Sequence, residues 1–230
     1  MTAAPAPAAP NQDDDPAPLV GRARELRRDP GSIIDRLRYL RTHPDGHTAM
    51  LAQSYWHANG FAKVRISERH GVQTRLHIWP EGESRLGDND PHGHRWAFAS
   101  WIAVGAGLTE TYYTASDPGG VDATMYTMYE YGRREDGEGY LDPVEDAWLR
   151  ESATFERRTG AVYDCRPPAL HKVAPVGADL LATVVIQGRV TERSAPVYRL
   201  PGRSHEVVQE PIPMPDLARL FEQVEHALGT

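Results

Sequence analysis

Between residues 61 and 200 the chain is a series of short strand-forming runs, at 62–67, 74–79, 94–104, 108–114, 123–133, 148–157, 161–164, 171–174, 180–187 and 196–200. Gly, Pro and Asp punctuate them at short intervals. Few sequence features limit a fold so strongly. Strands this short need neighbours to be stable, and closely spaced turns supply them. The pattern predicts a mainly β domain, a sandwich or a barrel. A chain of 230 residues with 40% hydrophobic content and a mean hydropathy of −0.54 is long enough to bury such a core. No internal repeat is present.

The flanks read differently. Residues 1–20, rich in Pro and Ala with Asp13, Asp14 and Asp15 in a row, predict a disordered tail. Residues 21–60 predict a helical segment. Ser32 is placed to cap a helix with Ile33, Ile34, Leu37 and Leu40 on one face, and a second helix is expected from 44 or 45 to 57. The barrel is expected over 61–200. In 201–230, Leu217, Leu220, Phe221, Val224 and Leu228 share one face of a terminal helix that would pack on the barrel. The turn-rich stretch 135–145 reads as a lid or an exposed loop.

Within the strand series, His92-Gly93-His94 puts two imidazoles on alternate residues. Alternate residues of a strand face one side, so two such histidines can grip one metal ion if a third ligand arrives opposite. His171, after a later run, is the candidate. Alone the pair could equally be a hairpin tip, since Asp88, Asn89, Asp90 and Pro91 upstream are turn formers. His77 lies on an earlier strand, as a cavity residue or as part of the barrel wall. Trp96, Tyr112, Tyr126 and Tyr131 could wall a pocket or belong to the core. Arg95 should face away from His94. Cys165 reads as a small buried residue.

Charge and cysteine content narrow the setting. A net charge of −7 and a pI near 5.8 argue against a nucleic-acid binder. One cysteine excludes an intrachain disulfide, and no signal-like or membrane-spanning run is evident, so a cytoplasmic location is expected.

The spacing of His92, His94 and Gly105, followed by Gly160 and His171, resembles the two motifs of the cupin superfamily. The resemblance covers about 62–200 and implies a jelly-roll barrel, the double-stranded β-helix, with helices at both ends. Phe98 stands where cupins carry a metal-binding Glu, leaving three neutral imidazoles. A divalent ion would there keep its full charge, favour anionic ligands and retain open positions. Within cupins the chain is most similar to cysteine dioxygenase and related three-His thiol dioxygenases: Leu76 to Trp79 precede the H-x-H, Leu108-Thr109-Glu110-Thr111 follow it, and Leu170-His171-Lys172-Val173 supplies the third ligand. That likeness implies Fe(II) on His92, His94 and His171, O2 and a small molecule as partners, and Arg65 as a clamp for a substrate carboxylate. His77 and Tyr112 complete the expected catalytic set. The family's crosslinking Cys falls at Ala99, and its late Tyr and His fall near Gln187 and Val185, which speaks against cysteine as substrate. The expected function is a metal-dependent oxygenase or oxidase acting on an amino-acid-like or anionic molecule. Zinc, nickel or copper would serve the same ligands, so a redox-silent zinc cupin is the alternative enzyme, and a non-catalytic ligand-binding module is the third reading. Paired edge strands would make a homodimer.

Overall fold

A computed structural model describes residues 15–82, 89–134, 139–203 and 209–229. In chain order the helices are α1 (Ala17–Arg28), α2 (Gly31–Thr42), α3 (Thr48–Leu51) and α4 (Met214–Leu228). The strands are β1 (Tyr55–Trp56), β2 (Ala62–Arg69), β3 (Val72–Trp79), β4 (Phe98–Val104), β5 (Gly107–Ala115), β6 (Thr124–Arg133), β7 (Gly139–Arg158), β8 (Val162–Cys165), β9 (Leu170–Pro175), β10 (Leu181–Gln187), β11 (Ala195–Arg199) and β12 (Glu210–Pro211). They form a seven-stranded antiparallel sheet, β12-β1-β2-β3-β10-β4-β8, and a five-stranded one, β11-β6-β7-β5-β9. From β3 onward the chain passes repeatedly from one sheet to the other. The order β3-β10-β4-β8 facing β9-β5-β7 is that of a jelly roll, the double-stranded β-helix expected from the sequence, with helices at both ends.

Period-two alternation decides what each face of the larger sheet does. Val64 and Ile66 of β2, Leu76 and Ile78 of β3, and Val184 and Ile186 of β10 point outward, where α1, α2 and α4 cover them. Leu37 and Leu40 of α2 meet Leu217, Leu220, Phe221 and Val224 of α4 in the same core. Each such side chain contributes about 1.5–3 kcal/mol when fully buried. Every residue of β10 is buried because both of its faces are covered. The inward residues of β2 and β3 are instead Lys63, Arg65, Gln73, Arg75 and His77, which line a cavity.

Several local expectations change. The second helix is only a 3-10 turn, Asp45–His47, and α3; Ser54 and Tyr55 already leave it for β1. Ser32 caps nothing: its hydroxyl donates to the Asp29 carbonyl at 2.8 Å, and Pro30 precedes α2 without a side-chain cap. The strand expected from 94 begins at Phe98, because residues 95–96 form a bend. Of the suggested lid, 135–138 lie outside the described residues, while 139–145 open β7. The tail expected over 1–20 lies outside them as far as residue 14, and α1 begins at Ala17. No helix among the described residues is long and apolar enough to cross a membrane.

Candidate metal centre

His92 is stitched into the smaller sheet by an isolated bridge. Its N–H donates to the His171 carbonyl at 2.9 Å, and the His171 N–H returns a bond to the His92 carbonyl at 3.0 Å. Residues directly opposite in such a pair share a face, so both imidazoles enter the barrel together. His92 also bridges Val197 on its other side, where the Gly93 N–H donates to the Pro196 carbonyl at 2.8 Å. Gly93 keeps this passage clear, since a Cβ would lie 3.0 Å from Pro196 Cδ and 3.3 Å from the Pro167 carbonyl oxygen. His94, one residue on, swings in from irregular backbone. The three rings stand 4.9, 5.3 and 5.1 Å apart, and one nitrogen of each lies within 4.8 Å of the others.

Hydrogen bonds fix which nitrogens face inward. His171 Nδ1 lies 3.0 Å from Glu110 Oε1, and His92 Nδ1 lies 2.9 Å from the Asp90 carbonyl oxygen. Both acceptors require a proton on Nδ1, which leaves the Nε2 lone pairs turned to the cluster. His94 Nε2 approaches His171 Nε2 to 2.8 Å. Two imidazole lone pairs so close need a proton or a cation between them. Nitrogens bound at right angles to one divalent ion would sit about 3 Å apart, given metal–nitrogen bonds of about 2.0–2.1 Å. Burial, reinforced by the neighbouring imidazoles, holds His94 well below its ordinary pKa, and burial and His171 push His92 down to about 4. His92 and His94 are thus neutral bases at neutral pH, the form that ligates. The residues fit a divalent metal.

Glu110 is the residue whose role the sequence hides. Fully buried on β5, it holds His171 Nδ1, accepts from the Tyr112 hydroxyl at 2.9 Å, and pairs with Arg157 through Nε at 3.0 Å and Nη2 at 2.9 Å. Burial alone would raise its pKa, yet the bonds from His171, Tyr112 and Arg157 hold it below the usual carboxylate range. A carboxylate behind a ligating histidine fixes ring orientation and raises basicity. Only its place in Leu108-Thr109-Glu110-Thr111, at an inward strand position, hinted at this.

Phe98, at the position of the missing carboxylate, presents its ring edgewise 4.9 Å from His94 and walls the cluster with carbon. Beyond it opens a cavity of about 620 Å³. Arg65 and His77 line this cavity, while Tyr112 is tied to Glu110 and does not. Arg65 donates to Glu68 Oε2 at 2.6 Å through Nη1. His77 stacks on Phe61 at 4.3 Å, its Nε2 has no hydrogen bond among the described residues, and burial keeps it neutral. Trp96 and Tyr131 also line the cavity. Tyr126 packs against Tyr198 instead. Arg95, expected to face away, lines the cavity because the bend at 95–96 breaks the alternation. Val185 and Gln187 face the cavity, whereas Ala99 points into the core beneath the helices. Cys165 is buried, and burial pushes its thiol pKa up.

Fold and site together define a jelly-roll barrel with three histidines converging inside it. No protein-family model matches the chain, and no curated protein sequence does either. Among solved structures it is similar to hydroquinone 1,2-dioxygenase from Sphingomonas sp. TTNP3, at 8% identity over 55% of this chain and 65% of that one, with a TM-score of 0.32. It is also similar to hydroxypropylphosphonic acid epoxidase from S. wedmorenis, at 8% identity over 60% of this chain and 56% of that one, with a TM-score of 0.33. Procruciferin, an 11S globulin from Brassica napus, shares 14% identity over 76% of this chain and 47% of its own length, with a TM-score of 0.36. The chain thus spans less than two thirds of each of these three proteins. Overlaps this loose leave the fold to rest on the strand order, and the chemistry on the residues themselves.

Proposed function

We propose that this chain is a mononuclear metal-dependent oxygenase or oxidase of the three-His type, with Fe(II) as its working metal and a small anionic molecule as substrate. The observation that carries the reading is the convergence of three imidazoles at the wall of a cavity of about 620 Å³, one of them held by a buried carboxylate. His92, His94 and His171 would hold the ion. Once bound there, a redox-active ion supplies open coordination positions and a route for electrons between substrate and O2.

The protein's own part is positioning and charge. Glu110 and the Asp90 carbonyl lock the tautomers of two ligands before substrate arrives. Phe98 withholds a fourth protein ligand and keeps that side dry. Arg65 is placed on the cavity wall to orient a carboxylate, and His77, held neutral by burial and by Lys63, offers an unbonded Nε2 to hydrogen-bond the substrate there. Tyr112 acts through Glu110, to which its hydroxyl donates. We infer a reducing, cytoplasmic setting for this chemistry.

The test is O2 uptake by Fe(II)-loaded and zinc-loaded protein, measured against small carboxylates, thiols and phosphorylated compounds. Substrate-dependent uptake by the iron form alone is the expected result. Turnover by the zinc form without O2 uptake would replace this reading with Lewis-acid chemistry.

A further inference from the structure

The cavity is cationic out of proportion to the chain. Lys63, Arg65, Arg75, Arg95, Arg133 and Arg199 all line it, in a protein of net charge −7. Among the described residues that line it Asp90 is the one acidic residue, and Arg199 and Arg203 each lie 3.4 Å from its carboxylate. Glu68 balances Arg65. Three of the cations gather round one indole: Lys63 Nζ, Arg75 Cζ and Arg95 Cζ lie 5.8, 5.6 and 5.5 Å from the Trp96 ring centroid. Lys63 also faces Tyr55 at 5.6 Å. None of the three makes an ion pair with a carboxylate among the described residues.

The chain arranges this crowd deliberately. Register places Lys63 opposite His77, and Arg65 opposite Arg75, on the inward face of β2 and β3. Like charges directly opposed in a sheet are destabilising. Gln73 accepts from both Nε and Nη2 of Arg75, so the guanidinium is oriented by its own strand and keeps Nη1 for another partner. Desolvation and the surrounding arginines lower the pKa of Lys63 well below its ordinary value, and burial brings Arg75 down to about 10. Such a cluster costs stability unless something anionic occupies its centre.

We propose that Lys63, Arg75 and Arg95 around Trp96 form a subsite for a doubly charged phosphorus oxyanion, the phosphate or phosphonate group of a substrate whose other end meets the three histidines. The inference rests on the reading of this cavity as a substrate chamber. Trp96 stands 6.1 Å from the His94 ring, so one small molecule reaches both places. A carboxylate would cancel one charge and offer two oxygens. A phosphoryl or phosphonyl group offers three oxygens to donors from β2, β3 and the bend before β4, and cancels two of the three charges.

Calorimetric titration of metal-stripped protein with inorganic phosphate, methyl phosphate, methylphosphonate and acetate tests this directly. Phosphate is expected to bind at least ten-fold more tightly than acetate, and the two methyl compounds show whether the ester or the carbon–phosphorus group fits better. Lys63→Gln and Arg75→Gln should each weaken phosphate binding at least ten-fold, and Arg75→Lys should recover part of the loss, with folding checked by circular dichroism. His94→Ala should bind phosphate as the wild type does. That arm separates the two readings, because a failed metal site leaves phosphate binding intact. Equal affinity for acetate, unchanged binding in both Gln variants, or binding only after metal is added would overturn the subsite.

Discussion

At the scale of single residues, Glu110 and Lys63 show how much of the site depends on charges the barrel encloses. Glu110 satisfies His171, Tyr112 and Arg157 at once, with partners 61, 2 and 47 positions away in the chain. Glu110→Gln keeps the shape but leaves Arg157 without its carboxylate. We expect a loss of about 3 kcal/mol in urea unfolding and a metal affinity lowered by roughly 10–100-fold; unchanged affinity would remove Glu110 from the centre. Lys63 gives the pH dependence. Its folded pKa is depressed by burial and by Arg75, Arg133 and Arg95, so between that value and about 10.4 the unfolded chain binds more protons than the folded one. Stability from this group therefore rises with pH across that window and falls away as pH drops through it. The advantage of Lys63→Met over wild type in urea midpoint should shrink between pH 7 and pH 10, and a pH-independent gap would contradict the assignment. Neither role could be read from the sequence. An inward Glu or Lys in an alternating strand looks like any solvated polar residue until the partner strands are known.

At the scale of elements, the histidine motif works because it is only partly a strand. The sequence expectation of two imidazoles on one face of a regular ladder, with His171 opposite, anticipated the cluster of histidines but not the backbone that delivers it. His92 is held by a single bridged position between β9 and β11, and the bend before β4 turns His94, Arg95 and Trp96 inward together. Gly93 permits the close pass by Pro196 and the Pro167 carbonyl. Gly93→Ala should cost about 1–3 kcal/mol through overpacking, and should reduce metal occupancy more than an Ala substitution at exposed Gly21 of α1, where a Cβ meets nothing within 4 Å. Equal occupancy in the two variants would show that the loop does not set ligand geometry. The strand runs that become β2 and β3 were legible, as was the amphipathic face of α4. The helix expected over 44–57 failed because Tyr55 and Trp56 enter the sheet edge, paired with residues of β2 and β12, and local pattern carries no record of that.

At the scale of the whole molecule, closely spaced turns and short apolar runs were enough to indicate a sandwich or a barrel, and the jelly roll followed from the family resemblance of the His92, His94, Gly105, Gly160 and His171 spacing. What they could not show is the division of labour between faces: a helical layer seals the outside of the larger sheet, which frees its inside to carry charge. The chain is acidic overall, with a net charge of −7, while Lys63, Arg65, Arg75, Arg95, Arg133 and Arg199 line its cavity, a contrast that favours anionic over cationic guests. The central claim is that His92, His94 and His171 hold one metal ion at the wall of that chamber. Elemental analysis of Fe(II)-reconstituted, desalted protein tests it most directly. One metal per chain in the wild type, and next to none in a folded His94→Ala variant, is the result expected; equal metal in both proteins, or none in either, would contradict it.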